Sequence, residues 1–364
     1  MIDLLTAFPG ISLGIILGFV LQRGRFCMNS AFRDIPVFKD YTLLKAVVLA
    51  VVFEMIIFHL LALMDIVSLS PPELFWPGAI IGGFLFGIGM AFAAGCASGT
   101  TYRVGEGMMG SLMALLGLII GGYTTENGIL SVLVNNPDLG LRSTQFRIAA
   151  ADGSSLTLGN VFGTSLTPIL TWGIVILLTG ASIILLVWKA YLPWKKKGNK
   201  IDRNHLLERI FKGGGWKWWI TGIAIGLIGS IAIICTTVIV EMGSCNAYPL
   251  GFIGGWNGLL GYIITGADTA LSWSVFLVIG VVMGAFIAAN IAGEFKLRAP
   301  KDGKVLFLQF VGGTMMGIGA VFAGGCNISN TLIGVPQLSV ASIITTIFII
   351  LGVWVKNYSY WLEK

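Results

Sequence analysis

The chain has 364 residues, of which 56% are hydrophobic and only 11% charged, and its mean hydropathy is +0.88. Soluble domains carry about 25% charged residues, so a soluble enzyme or binding module is excluded and an all-α integral membrane protein is expected. The net charge of +6 comes from lysines and arginines gathered in loops, the usual mark of cytoplasmic membrane flanks, and no nucleic-acid partner is expected.

In chain order, apolar runs lie near 10–22, 46–66, 76–93 and 108–122, each approaching the length of a spanning helix. The N-terminus, "MIDLLTAFPG", lacks a basic n-region, so no cleavable signal peptide is expected. A run near 166–188 follows, then the basic stretch "KAYLPWKKKGNKIDRNHLLERIFK". Further runs lie near 217–240, 272–291, 305–323 and 338–357, with a shorter apolar piece near 249–264. The reading is about nine transmembrane helices plus short re-entrant pieces. It divides the chain into a first membrane repeat (1–188), a basic linker (189–216) placed in the cytoplasm, and a second repeat (217–364). "EFKLRAPKDGK" (294–304) and the stretch with Arg33, Lys39 and Lys45 are also basic and placed inside, whereas the long loop from about 123 to 165 fits the outside. "WKWW" (216–219) reads as an interfacial aromatic belt.

One segment is written twice. "GGFLFGIGMAFAAGC" (82–96) and "GGTMMGIGAVFAGGC" (312–326) share nine of fifteen residues. Each carries a GxxxG pair, Gly83 with Gly87 and Gly313 with Gly317, which lets helices approach closely in lipid. By the loop charges, the first copy runs inward and the second outward. This is an inverted-topology repeat, a construction that places transport sites near mid-membrane at the repeat interface. A weaker pair, "GRFCMNSAF" (24–32) and "MGSCNAYPL" (242–250), adds a second cysteine corner to each half.

Five cysteines occur, none in CxxC, and the only histidines are His59 and His205, so no zinc site, cofactor or metal is expected. After Cys27, Cys96, Cys245 and Cys326 the sequence turns small and polar: "CMNS", "CASGT", "CNAY", "CNISN". These are helix breaks. Irregular backbone at membrane depth is tolerated where it is buried in protein or lines a wet cavity, and a following half-helix offers an N-terminus that attracts anions. Gly95, Gly325 and Asn327 flank the thiols, and with the four corner cysteines they make the candidate substrate-binding set. Cys235, inside "IGSIAIICTTVIV", reads as a small core residue. A neutral thiol is a weak, polarisable donor. It suits a soft sulfur-containing solute better than a hard oxyanion, and weak contacts let the solute leave again. The residues also leave open a membrane thiol enzyme passing sulfur through a persulfide, although such enzymes usually use a close reactive pair.

Glu54 lies inside the span 46–66 and is a candidate proton carrier, since an intramembrane carboxylate is functional by default. Arg25, Arg33, Arg103 and Glu106 are expected to form an ion-paired cytoplasmic collar. Asn29, Asn246 and Asn330 read first as caps for broken backbone.

"QRGRFCMNSAFRD", "AAGCASGTTYRVGEG" and "FAGGCNISN" resemble the signature segments of the YeeE/YedE sulfur-transport family, above all its thiosulfate-uptake permeases, over nearly the whole chain. The resemblance implies an hourglass-shaped inner-membrane permease with pseudo-two-fold symmetry and short helices dipping from both faces. It also implies three central cysteines, here Cys27, Cys96 and Cys326, relaying thiosulfate by S–H···S hydrogen bonds, and a cytoplasmic TusA-like sulfurtransferase as partner. Cys245 departs from that pattern. "GGCNISNTLIGVPQLS" resembles the branch linked to selenium, which keeps other soft sulfur or selenium species as alternative substrates.

Overall fold

A computed structural model describes residues 4–136, 140–150, 153–160, 171–182, 215–241 and 248–362. The linker from 189 to 214, with His205, and the corner of Cys245 and Asn246 lie outside them.

The first half opens with α1 (Leu4–Gly24), α2 (Met28–Phe38) and α3 (Thr42–Leu63). A π-helical turn, Gly78–Gly82, then leads into α4 (Gly83–Ala93), followed by α5 (Ala97–Gly105), α6 (Met109–Glu126) and the short α7 (Ser131–Asn135). After α8 (Thr171–Ser182) the second half runs α9 (Trp218–Glu241), α10 (Phe252–Thr265), α11 (Trp273–Ile291) and α12 (Gly303–Phe322). A second π-helical segment, Ser329–Gly334, precedes α13 (Val340–Leu362). The described strands are two residues each, Leu74–Phe75 paired antiparallel with Arg147–Ile148. The protein is an all-α integral membrane protein. Among the described residues seven helical stretches are long and apolar enough to cross a membrane. Two of them, Thr6–Phe38 and Gly78–Gly105, run through the Cys27 and Cys96 corners. The other two expected spans fall on α6 and on α8, of which 171–182 is described.

Small residues set the packing. Without a hydrophobic drive between helices in lipid, close backbone approach supplies the contact energy. α4 and α12, the two copies of the repeated segment, lie against each other antiparallel. A Cβ on Gly82 would sit 2.7 Å from the Gly319 carbonyl oxygen, and one on Gly89 would sit 2.7 Å from that of Gly312. Gly82 corresponds to Gly312 in the repeat and Gly89 to Gly319, so each contact is the counterpart of the other. The flanking helices follow suit. Gly83 and Gly87 of α4 pack on Thr345 and Ile349 of α13, while Gly313 and Gly317 of α12 pack on Ala114 and Leu118 of α6. Around them α1 packs on α11, with Gly14 against Leu277 and Gly18 against Val281, and α9 packs on α3, with Gly222 against Ala46. Two indoles tie the short helices to this frame: Trp256 Nε1 donates to Thr101 Oγ1 of α5 at 3.1 Å, and Trp354 Nε1 to the Phe32 carbonyl of α2 at 3.0 Å.

Candidate functional site: three thiol corners

The corners at Cys27, Cys96 and Cys326 share one backbone design. Two residues before each cysteine the chain takes a left-handed conformation: Arg25 (φ 47°), Ala94 (φ 54°) and Gly324 (φ 75°). The N–H of the next residue reaches back five positions, Phe26 to the Leu21 carbonyl (3.0 Å), Gly95 to Met90 (3.2 Å) and Gly325 to Ala320 (2.8 Å). This is the 6→1 bond of a Schellman helix stop. The cysteine carbonyl then starts the next helix, accepting from Ala31 (3.0 Å), Thr100 (2.8 Å) and Asn330 (3.0 Å). Each thiol therefore sits at the start of a new half-helix, whose N-terminus favours an anion.

These corners converge. Cys27 Sγ and Cys96 Sγ are 3.8 Å apart and both buried, so the N-termini of α2 and α5 meet at a thiol pair. Gly99 makes room for it: a Cβ there would lie 2.9 Å from Cys27 Sγ and 3.1 Å from Cys96 Sγ. The Gly99 N–H donates to Cys96 Sγ at 3.3 Å, and Ser98 Oγ lies 3.4 Å from the same sulfur. Across the repeat interface Asn327, the residue after Cys326, donates its side-chain amide to Met28 Sδ, the residue after Cys27, at 2.8 Å. At the third corner Ser329 Oγ donates to the Leu250 carbonyl at 3.2 Å and lies 3.4 Å from Cys326 Sγ. Asn330 caps the break, donating to the carbonyls of Gly325 and Cys326, both at 3.1 Å.

A cavity of about 250 Å³ reaches Ser329 and Asn330 from the far side. Ser68, Ser70, Thr236, Thr237 and Gln337 line it, the two threonine hydroxyls donating to carbonyls of their own helix, and among the described residues its wall holds no charged side chain. It offers hydrogen bonds without a fixed counter-charge.

The cation collar differs from the expected one. Its acidic hub is Glu294, unforeseen in the sequence. Glu294 accepts from Gln22 (2.9 Å) and pairs with Arg25 (3.2 Å) and the buried Arg23 (3.7 Å). Arg33 pairs with its neighbour Asp34 at 2.8 Å. Arg103 Nη1 donates to the Ala94 carbonyl at 2.7 Å, bracing the left-handed turn before Cys96. Burial pushes the Glu106 carboxyl up, against the opposing pull of Gln22 and Arg103. Cys235 is half-buried on α9, packed against the core as expected. Glu54 is fully buried on α3. Asn29 is buried beside Met28, and its side-chain oxygen has no partner among the described residues. Gly99, Ser98, Ser329 and Met28 also escaped the sequence reading; the small polar run after each cysteine was the signal for the first three, and Met28 had none.

Comparison with known proteins identifies the family. The sulphur transport family model matches residues 23–355. The thiosulfate transporter TsuA of Spirochaeta thermophila is 38% identical over 353 residues, covering 95% of this chain and 97% of the relative. The thiosulfate transporter TsuA of Escherichia coli is 30% identical over 96% of this chain and 93% of its own length. A probable transporter, YedE of Escherichia coli, is 33% identical over 111 residues, 30% of this chain and 26% of the relative. The match over nearly the whole chain, through all three cysteine corners, makes this protein a member of the sulphur transport family.

Proposed function

We propose that this protein is a thiosulfate permease of the cell inner membrane whose path runs along Cys326, Cys96 and Cys27. The observation that carries the reading is the convergence of three identically built corners, with two sulfurs 3.8 Å apart and the third joined through Asn327 and Met28. Thiosulfate has a soft terminal sulfur and three hard oxygens. The hydroxyl-lined cavity suits the oxygens, and neutral thiols donate S–H to the soft end. A weak donor passes the ion on instead of trapping it, as conduction requires. A thiolate would repel the dianion and attack its sulfur, so this path calls for neutral thiols. No bond of the ion breaks in this scheme, so the protein acts as a transporter. Gly95 and Gly325, within the helix stops, and Asn327 complete the substrate contacts; Cys245 is assigned to the same path.

The antiparallel contact of α4 with α12 supports an inverted pseudo-two-fold arrangement of repeats 1–188 and 217–364. The basic linker 189–216 then lies in the cytoplasm, where a TusA-like sulfurtransferase accepts the incoming sulfur. A second reading, a thiol enzyme passing sulfur through a persulfide, is favoured by the same Cys27–Cys96 contact, because the fold creates the close pair that the sequence lacks. The test is growth of a sulfur-starved host, without its own thiosulfate uptake, on thiosulfate alone. Rescue by the parent and loss with Cys96→Ala supports the permease. Rescue on another sulfur or selenium source only would change the substrate. A persulfide found on Cys96 during turnover would favour the enzyme.

A further inference from the structure

Glu54 lies twelve residues from the start of α3 and nine from its end, about 14–18 Å from either end at 1.5 Å per residue. It is fully buried, and neither carboxyl oxygen has a hydrogen-bond partner among the described residues. It is aimed at Gly229 of α9, where a Cβ would collide with Oε1. The neighbouring elements offer no counter-charge among the described residues. On α9 the facing positions are Gly226 and Gly229, the Ser230 hydroxyl is spent on the Gly226 carbonyl at 2.8 Å, and Cys235, the nearest titratable group, is a thiol. On α2, Arg33 is paired with Asp34. The segment Ser329–Gly334, which touches both α3 and α9, has no titratable side chain. On α3 itself, His59 Nδ1 is engaged with the Met55 carbonyl at 2.9 Å, and its ring stands edge-on to Trp172 at the outer groove.

An ionised carboxylate without water or partner is strongly disfavoured, so the closed α3–α9 seam accommodates Glu54 as the neutral acid. The α9 face that begins at Gly229 continues through Ile233, Thr236 and Thr237 into the wall of the cavity beside Ser329. Loosening this seam would open Glu54 toward the cavity that Ser329 also lines. A dianion entering a cell also moves against an inside-negative potential, and a co-moving proton offsets part of that charge.

We propose that Glu54 is the proton-binding site of a proton-linked uptake. Its carboxylate takes a proton from water in the outer cavity, which lets the seam close, and releases it to cytoplasmic water after the ion has left. One O–H bond forms and later breaks; the solute is unchanged. The proposal rests on the thiosulfate reading above.

The test uses the full chain in liposomes with radiolabelled thiosulfate outside. With the outside one pH unit more acidic, wild-type accumulation rises by up to about tenfold for one proton per ion, and a trapped pH dye reports acidification on adding thiosulfate. Glu54→Gln, nearly the same shape, keeps thiosulfate exchange but loses the response to the gradient. Exchange by the wild type with no gradient response and no acidification overturns the proton role alone, as does a Glu54→Gln protein that responds like the wild type. A wild type, correctly assembled, that exchanges no thiosulfate overturns the thiosulfate reading and this proposal with it.

Discussion

Asn327 and Met28, 299 positions apart, meet at 2.8 Å between an amide nitrogen and a thioether sulfur. Each is the residue after a corner cysteine, so this bond locks the Cys326 corner to the Cys27–Cys96 pair. Replacing Met28 with Leu keeps the volume and removes the sulfur acceptor. We expect a loss of about 1 kcal/mol of stability and a larger fall in thiosulfate uptake, because the corners lose register. Paired thermal melts and initial uptake rates check this; unchanged uptake would show that the contact only holds the fold.

Gly99 leaves room for the two facing sulfurs by having no side chain. The Cβ of Gly99→Ala would press on both Cys27 and Cys96. The expected cost is about 1–3 kcal/mol of overpacking, with uptake falling at least about tenfold if the displaced sulfurs cost the transport barrier 1.4 kcal/mol or more. Initial rates at matched membrane abundance decide it.

The left-handed residues before the thiols differ in type. Ala94 carries a Cβ in a conformation that costs an L-residue roughly 1–2 kcal/mol, whereas Gly324 at the equivalent place does not. Ala94→Gly should therefore raise the melting temperature and Gly324→Ala lower it. Neither glycine nor alanine adds a polar group, so a melt in detergent reads the backbone effect directly.

Glu106 gives a pH signature. Burial raises its carboxyl above the ordinary value, so the folded state holds the proton more tightly than the unfolded chain. Stability then declines as pH rises from the unfolded value, about 4.3, through the raised folded value. Glu106→Gln removes that decline. The variant should gain on the wild type in melts near neutral pH and show no such gain below about pH 4.

Much of this architecture was legible in the sequence. The fifteen-residue repeat was visible because both copies need the same glycines at the same crossing, and the helix breaks were visible because small polar residues follow each thiol. What was hidden was pairing across the fold. Cys27 meets Cys96 only because α2 and α5 start at the same point, and no local pattern shows that two half-helices will face each other. The shared helix stop was hidden for a different reason: Arg25 and Ala94 occupy left-handed positions where glycine is the usual signal. Glu294 read as part of a basic cytoplasmic loop, and its role as the hub for Gln22, Arg23 and Arg25 depends on the packing of α1 against α11. The expected fourth corner at Cys245 lies outside the described residues.

In the proposed path thiosulfate passes along the three thiols. The most direct measurement is uptake of radiolabelled thiosulfate into liposomes containing the purified wild type, Cys27→Ala, Cys96→Ala, Cys326→Ala or Cys235→Ala. Each of the first three variants is expected to lose most of the flux, while Cys235→Ala, off the path, keeps it. Full uptake by all three corner variants would contradict it.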